Sequence, residues 1–366
     1  MIGYILILLV ILFGGIGSQK IQESPKKKKV FLFVVFGIMI CFAVLRNYSV
    51  GIDYSNRVES MQRIFQFNFS DLRYYMEYVV QDEYLYTFFI WMVSRIFPSP
   101  WLVNAVMDIF VLSTFGCFFY RYSKDVTIAS LMFAAFAFSA EMNITRQYVA
   151  AAFFLIALHF LIQKKPIKAL LPLIAATLIH TSAVILFAIY IVYIIGFSVS
   201  RKKLFLLLAV AVGGFFAFEF ILEWFISVFP QYSYALKGWA VGNESFSGLW
   251  LGIYLFLFAV HFVTLPQKNS DASDEVTGIV SVGFVLYALM GVLKSVLWFI
   301  HRMQVYFIFG FCMIIPEILF NLRATPRLKQ SLSIVFKLGL AIWAILMFIQ
   351  DGHGILPYKF IWESLF

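Results

Sequence analysis

The sequence predicts an all-α polytopic membrane protein, a bundle of about twelve transmembrane helices forming one domain over residues 1–366. Three observations predict it. Hydrophobic residues make up 62% of the chain and charged ones 13%, where a soluble domain carries about 25% charged; so apolar a chain cannot cover a soluble core with polar surface. Apolar stretches of bilayer scale recur from end to end. The basic residues cluster in the short gaps between them: Lys20 and Lys26 to Lys29, then Lys164, Lys165 and Lys168, then Arg201 to Lys203, then Arg323, Arg327 and Lys329. That is the positive-inside pattern and marks those gaps as cytoplasmic. It accounts for the net charge of +9 without nucleic acid.

Residues 2–16 form the first segment. No basic residue precedes them and lysines follow, the reverse of a cleaved leader, so the segment is expected to be retained with Met1 outside. The later segments are 30–45, 84–97, 101–120, 126–139, 147–162, 168–179, 182–197, 204–228, 248–265, 276–298, 303–320 and 332–349. Several are shorter than the roughly 20 residues a perpendicular span needs. With every basic gap inside, residues 46–83 lie outside and 163–168 inside, yet four segments separate them, an even number. One of the four does not cross, and 84–97 and 126–139 are short enough to be re-entrant. The outer gaps are then 46–83, 140–146, the turn at His180 and Thr181, 229–247, 299–302 and the tail 351–366.

In the longest of these, Leu72, Tyr75, Met76, Val79 and Val80 recur at helical spacing with Asp71, Arg73 and Glu77 between them. This predicts a helix lying in the membrane interface. Residues 56–67 repeat the pattern less regularly. The loop 266–275 is polar without a basic excess, and only counting places it inside. Cys41, Cys117 and Cys312 sit in or near apolar segments with no pairing pattern. The two halves show no internal repeat, which disfavours inverted-repeat transporters.

Several ionisable residues gather where outer segment ends fall. Arg46 closes 30–45 and is followed by Val50-Gly51-Ile52-Asp53-Tyr54. Arg146 and Gln147 open 147–162, His180 interrupts the apolar run 168–197, and His301 and Arg302 open 303–320 with Tyr306 one turn on. Charge at membrane depth is costly and by default marks a site. The bland alternative is snorkelling to the headgroups, but arginines on the outer face run against the positive-inside bias. Asp108, Lys294, Glu219 and Glu223 suit structural pairs within the bundle, and Asp351 and His353 are too few for a metal site. Tyr232, Tyr234 and Trp239 suit an interfacial aromatic belt. No GxGxxG, P-loop, HExxH or CxxC occurs, so the energy for any reaction comes with the substrate.

The series Arg46…Val50-Gly51-x-Asp53-Tyr54, Glu83, Thr145-Arg146-Gln147-x-x-Ala150, Ile179-His180-Thr181-Ser182-Ala183 and Arg302-x-x-x-Tyr306 resembles, in order and spacing, the EpsG family of Wzy-like exopolysaccharide and capsule polymerases. The resemblance implies a polyprenyl-dependent glycosyltransferase with interfacial helices in an outer loop, in the bacterial cytoplasmic membrane. Its expected reaction moves a glycan from undecaprenyl pyrophosphate to another lipid-linked repeat unit at the outer face. The expected partners are that lipid-linked oligosaccharide, membrane lipid and a chain-length regulator protein. The attacking hydroxyl must lose a proton, and the resemblance points to Asp53 as the base, with Glu83 second. Guanidinium forks match phosphate oxygens, so Arg46, Arg146 and Arg302 are expected on the pyrophosphate, with His180 and His301 as donors and Tyr54, Gln147 and Tyr306 beside them. No cofactor is implied; a Mg²⁺ ion bridging the pyrophosphate is left open. Two other classes remain open from the residues: a lipid-linked oligosaccharide flippase, with arginines along a cavity reaching both faces, and a membrane acyltransferase, with His180 or His301 as base.

Overall fold

A computed structural model describes residues 2–15, 21–80, 83–194, 200–228, 248–265, 275–294 and 300–364. Among these every regular element is a helix, and strand-like pairing is limited to an isolated bridge between Arg46 and Phe360. Helices suit a chain this apolar because they satisfy the backbone internally where lipid offers no partners. Among the described residues five helices are long and apolar enough to cross a membrane: Pro100–Tyr122, Thr145–Ile162, Glu275–Leu293, Arg302–Asn321 and Pro326–Gln350. Shorter apolar helices accompany them, and each predicted apolar segment contains helix.

The chain divides into two compact units, Met1–Ile195 with Ala324–Phe366, and Gly196–Arg323. In the first unit the helices are α1 (Ile2–Gly14), α2 (Pro25–Val44), α3 (Ile52–Phe65), α4 (Phe69–Tyr75), α5 (Tyr84–Ile96), α6 (Pro100–Tyr122), α7 (Val126–Phe136), α8 (Phe138–Asn143), α9 (Thr145–Ile162), α10 (Pro166–Ile179), α11 (Leu186–Ile194) and, late in the chain, α12 (Pro326–Gln350). Helix α2 begins five residues earlier than its apolar stretch, inside the lysine run. Ser24 caps it by accepting from the Lys27 N–H, and Pro25 fits the first turn, where its missing donor is not needed.

The core of this unit is aromatic. Phe115 lies 4.8 Å from Phe133 between ring centroids, and Phe36 lies 5.7 Å from the same ring. Gly116 lets α2 close on α6, since a Cβ there would stand 3.2 Å from the Phe36 ring. Helix α7 is buried at every position from Val126 to Ala135, packed on α1, α2, α6 and α12. A helix apolar on all sides belongs inside a bundle, and Asp125 starts it by accepting from the N–H groups of Thr127 and Ile128.

Hydrogen bonds sort the helix ends. At the lysine-rich end Gln22 donates to Asp125 at 3.1 Å, and Arg121 and Tyr122 meet His159. At the opposite end Trp101 donates to the Val44 carbonyl at 2.7 Å, and the Asp53 N–H donates to Asn143 at 2.7 Å. Gly51 donates to Gly354 at 2.8 Å and Asn47 to Lys359 at 2.9 Å. The expected outer gaps 46–83, 140–146, 180–181 and 351–364 therefore converge at one end of this unit.

Helix α5 starts at Glu83, which pairs with Arg146 at that end, and leads into Trp101 at the same end. Both its ends lie at the same end of this unit, the arrangement expected of a re-entrant segment. The other candidate, 126–139, runs end to end, because α8 extends it through residues 140–143. That stretch is helix, not the loop its polar residues suggest. The Ile52–Phe65 helix also begins earlier than the pattern over 56–67, burying Tyr54, Met61 and Ile64. Of the interfacial stripe, Leu72 is buried and Val79 exposed, and Met76–Val80 is wound as a π-helical turn.

The second unit holds α13 (Arg201–Phe216), α14 (Phe218–Val228), α15 (Gly248–Thr264), α16 (Glu275–Leu293), α17 (Ile300–Gln304) and α18 (Ile308–Asn321). Helices α16 and α18 meet backbone to backbone: a Cβ on Gly310 would stand 2.4 Å from the Gly283 carbonyl carbon. Small residues at such a crossing are how helices in lipid gain close packing. Tyr287 stacks on Phe311 at 4.5 Å beside it. The polar loop at 266–274 and the aromatic residues Tyr232, Tyr234 and Trp239 lie outside the described residues.

Candidate active site

The Val50-Gly51-Ile52-Asp53-Tyr54 stretch turns α2 into α3. Gly51 takes φ 99, where side chains are disfavoured, and a Cβ would stand 3.0 Å from the Met142 carbonyl oxygen. This close approach seats the first turn of α3 on the α8–α9 junction and divides its side chains between two clusters.

The first cluster is sealed. Arg46 is 1% exposed and forms an ion pair with Asp108, itself fully buried, and also donates to the Ala43 carbonyl. Tyr54 covers it, with the guanidinium 4.9 Å from the ring centroid. Glu141 is buried within electrostatic reach of both members of the pair. The guanidinium of Arg46 is thus engaged inside the protein.

The second cluster is open. Glu83 accepts from Arg146 on one oxygen and pairs with His180 Nδ1 through the other. Gln147 Nε2 meets His180 Nε2 at 3.1 Å. Since the amide donates, Nε2 accepts and Nδ1 carries the hydrogen toward Glu83. Helix α10 ends at His180, whose extended backbone delivers the ring between α9 and α5. The Arg146 side chain is 26% exposed and lies 5.2 Å from the Tyr86 ring centroid. Glu83 holds left-handed backbone at φ 48, a strain of about 1–3 kcal/mol that is tolerated where the surroundings dictate it. Burial pushes the Glu83 carboxyl up, but the His180 hydrogen bond and the Arg146 charge outweigh it and hold the group below its ordinary value.

Asp53 stands beside this cluster, within electrostatic reach of Arg146 and of Arg57. Arg57 donates to the Asp53 carbonyl at 2.9 Å and to the Asn143 carbonyl at 3.0 Å, locking the first turn of α3 onto α8. The structure therefore brings together Asp53, Glu83, Arg146, Gln147 and His180 and adds Arg57, Tyr86 and Asn143. Arg57 was legible in principle: it lies four residues from Asp53 on one helix face. Tyr86, whose buried hydroxyl has no hydrogen-bond partner among the described residues, carries no comparable signal.

Arg302 lies in α17 and Tyr306 is buried in the turn that follows; both belong to the second unit, and the side chain of His301 lies outside the described residues. Asp108 pairs with Arg46. Asp351 accepts from the N–H groups of Ile355 and Leu356 and so closes a turn. Among the described residues no group of three or more His, Cys, Asp and Glu is placed to hold a metal.

Two guanidiniums, a carboxylate–imidazole pair and a second carboxylate, converging at a membrane-protein surface, suit an anionic substrate whose reaction moves a proton. No curated protein and no solved structure matches the chain. The EpsG family model matches residues 29–360, nearly the whole length. The chain belongs to the EpsG family, membrane proteins with a polysaccharide-polymerase-like role in exopolysaccharide biosynthesis.

Proposed function

We propose that this protein is a polysaccharide polymerase that crosses the bacterial cytoplasmic membrane about twelve times. It transfers a glycan from undecaprenyl pyrophosphate to the sugar end of another lipid-linked repeat unit at the outer face. The open cluster carries this reading: Asp53, Glu83, Arg57, Arg146 and His180 gather at the end opposite the lysines. By the positive-inside bias that end faces outward.

In this reading Asp53 takes the proton from the attacking hydroxyl as the oxygen bonds to the anomeric carbon. The pyrophosphate departs with the electron pair of the broken bond, and Arg146 and Arg57 meet its growing charge. Preplaced donors of this kind contribute several kcal/mol to barrier lowering. Glu83, with both oxygens engaged by Arg146 and His180, orients those two side chains instead. Arg46, sealed under Tyr54, holds the floor of the site.

The test is complementation of a deletion strain with Asp53→Asn, which keeps the shape but removes the proton acceptor. Polymer should fall by about 10²- to 10⁴-fold while protein level is normal and lipid-linked single repeats persist outside. Wild-type polymer from this variant would overturn the assignment of the base. Repeats retained on the cytoplasmic side in the deletion strain would point to a flippase.

A further inference from the structure

A second site lies at the other end of the first unit. A cavity of about 330 Å³ opens between α6 and α9, within the range of small-molecule pockets. Its floor on α6 runs from Ile109 through Ser113 and Cys117 to Tyr122, about 20 Å of helix at 1.5 Å per residue. One leaflet of hydrocarbon is about 15 Å deep. The groove thus has the length of one acyl chain and an almost wholly apolar lining.

Its mouth is different. Arg121 Nη1 stands 2.8 Å from His159 Nε2, Gln163 Nε2 stands 2.9 Å from the same nitrogen, and Tyr122 Oη stands 2.6 Å from Nδ1. Arg121 Nη1 also stands 3.3 Å from Nδ1, so the arginine and the amide both face the ring as donors. Lys165 donates to Gln163 at 3.0 Å and acts electrostatically on the same ring. Among the described residues no carboxylate pairs with Arg121. The mouth therefore presents two cations and a hydroxyl with no anion of its own among the described residues, at the end where the lysines cluster.

We infer that this groove binds one anionic glycerophospholipid of the inner leaflet. An acyl chain lies along α6, and the phosphate is held by Arg121, Tyr122 and Lys165. A phosphate diester supplies the acceptors this mouth lacks, and Arg121 meets it through the part of its fork not turned to His159. The site is separate from the open cluster and does not depend on the identity of the glycan substrate.

Native mass spectrometry of the purified protein, with equimolar phosphatidylglycerol and phosphatidylcholine, tests it. Wild type should retain one phosphatidylglycerol with a preference of about fivefold or more: both lipids carry the phosphate, but choline sets a fixed cation beside Arg121 and Lys165, and about fivefold is the order expected from one like-charge approach in water. Arg121→Gln should bring the ratio near one, while Lys27→Gln, a cation at the same end but outside the groove, should leave it unchanged. Cys117→Trp fills the groove from the lipid side and should abolish retention without lowering the unfolding temperature. Equal retention of the two lipids by wild type would overturn the proposal. So would a full preference in Arg121→Gln, an equal loss in Lys27→Gln, or displacement of phosphatidylglycerol by equimolar undecaprenyl phosphate.

Discussion

Two charge clusters share one end of the first unit, and consecutive residues of one turn serve both: Asp53 stands with the open one and Tyr54 lids the sealed one. Each contains guanidinium and carboxylate, but their surroundings reverse their meaning. Arg46 and Asp108 have no access to solvent, so their attraction is spent on offsetting desolvation, and removing either leaves a bare charge in a dry place. Arg146 is partly exposed and shares Glu83 with His180, so it can exchange partners when an anionic substrate arrives. Membrane depth alone does not mark a functional arginine; room beside it does.

The largest expected effect breaks the sealed cluster. Arg46→Ala strands Asp108 beside Glu141 and should cost about 3–5 kcal/mol, seen as loss of folded protein in detergent thermal unfolding. The paired replacement of Arg46 by Met and Asp108 by Leu should recover most of it, because both charges of the pair are then removed together. If Arg46→Ala unfolds at the wild-type temperature, the two clusters do not differ in kind.

The open cluster should respond in the opposite way. Arg146→Lys keeps the charge but loses the planar fork. A lost charge-assisted hydrogen bond, roughly 1.5–3 kcal/mol, predicts about a 10- to 150-fold drop in polymer formation at unchanged stability. Full activity would return Arg146 to headgroup snorkelling.

A smaller effect is expected where the clusters join. Gly51→Ala imposes a side chain on positive φ and should cost about 1–2 kcal/mol. It should also slow polymerisation, because Asp53 and Tyr54 move together; a thermal shift with no change in rate would separate the turn from the chemistry.

The smallest effect concerns pH. A carboxyl held below its ordinary value contributes stability above the unfolded value and loses it as pH falls through the folded one. Glu83 is such a group. The stability difference between wild type and Glu83→Gln should stay level from pH 8 to pH 5 and narrow only below about 4.3, the ordinary Glu value. Narrowing already near pH 6 would mean that Arg146 and His180 do not hold it.

Much of this was legible one residue at a time. Runs of apolar residues announced the helices, and lysine gaps sorted their ends. Parity predicts that a segment fails to cross, but only the shared location of Glu83 and Trp101 points to 84–97, since a short apolar helix looks alike lying or standing. Pairings were illegible for a related reason. Asp108 and Glu141 meet Arg46 across long stretches of chain, and nothing local tells a carboxylate that neutralises an arginine from one that awaits a substrate. Residues 140–143 fell in a gap between apolar segments because Glu141 and Asn143 are polar; they are helical, with Glu141 buried near Arg46 and Asn143 accepting from the Asp53 N–H.

Helix α7 has consequences for how the protein is made. It is buried from Val126 to Ala135, yet one of its walls is α12, which leaves the ribosome only after the whole second unit. Until then the face of α7 that α12 will cover must be tolerated by the bilayer or by an insertion chaperone. Residues 354–361 then bind back onto Leu45, Asn47 and Gly51, at the threshold of the open cluster. Assembly of this unit therefore waits until α12 has been made, and a chain that stops after Arg323 leaves α7 uncovered on that side.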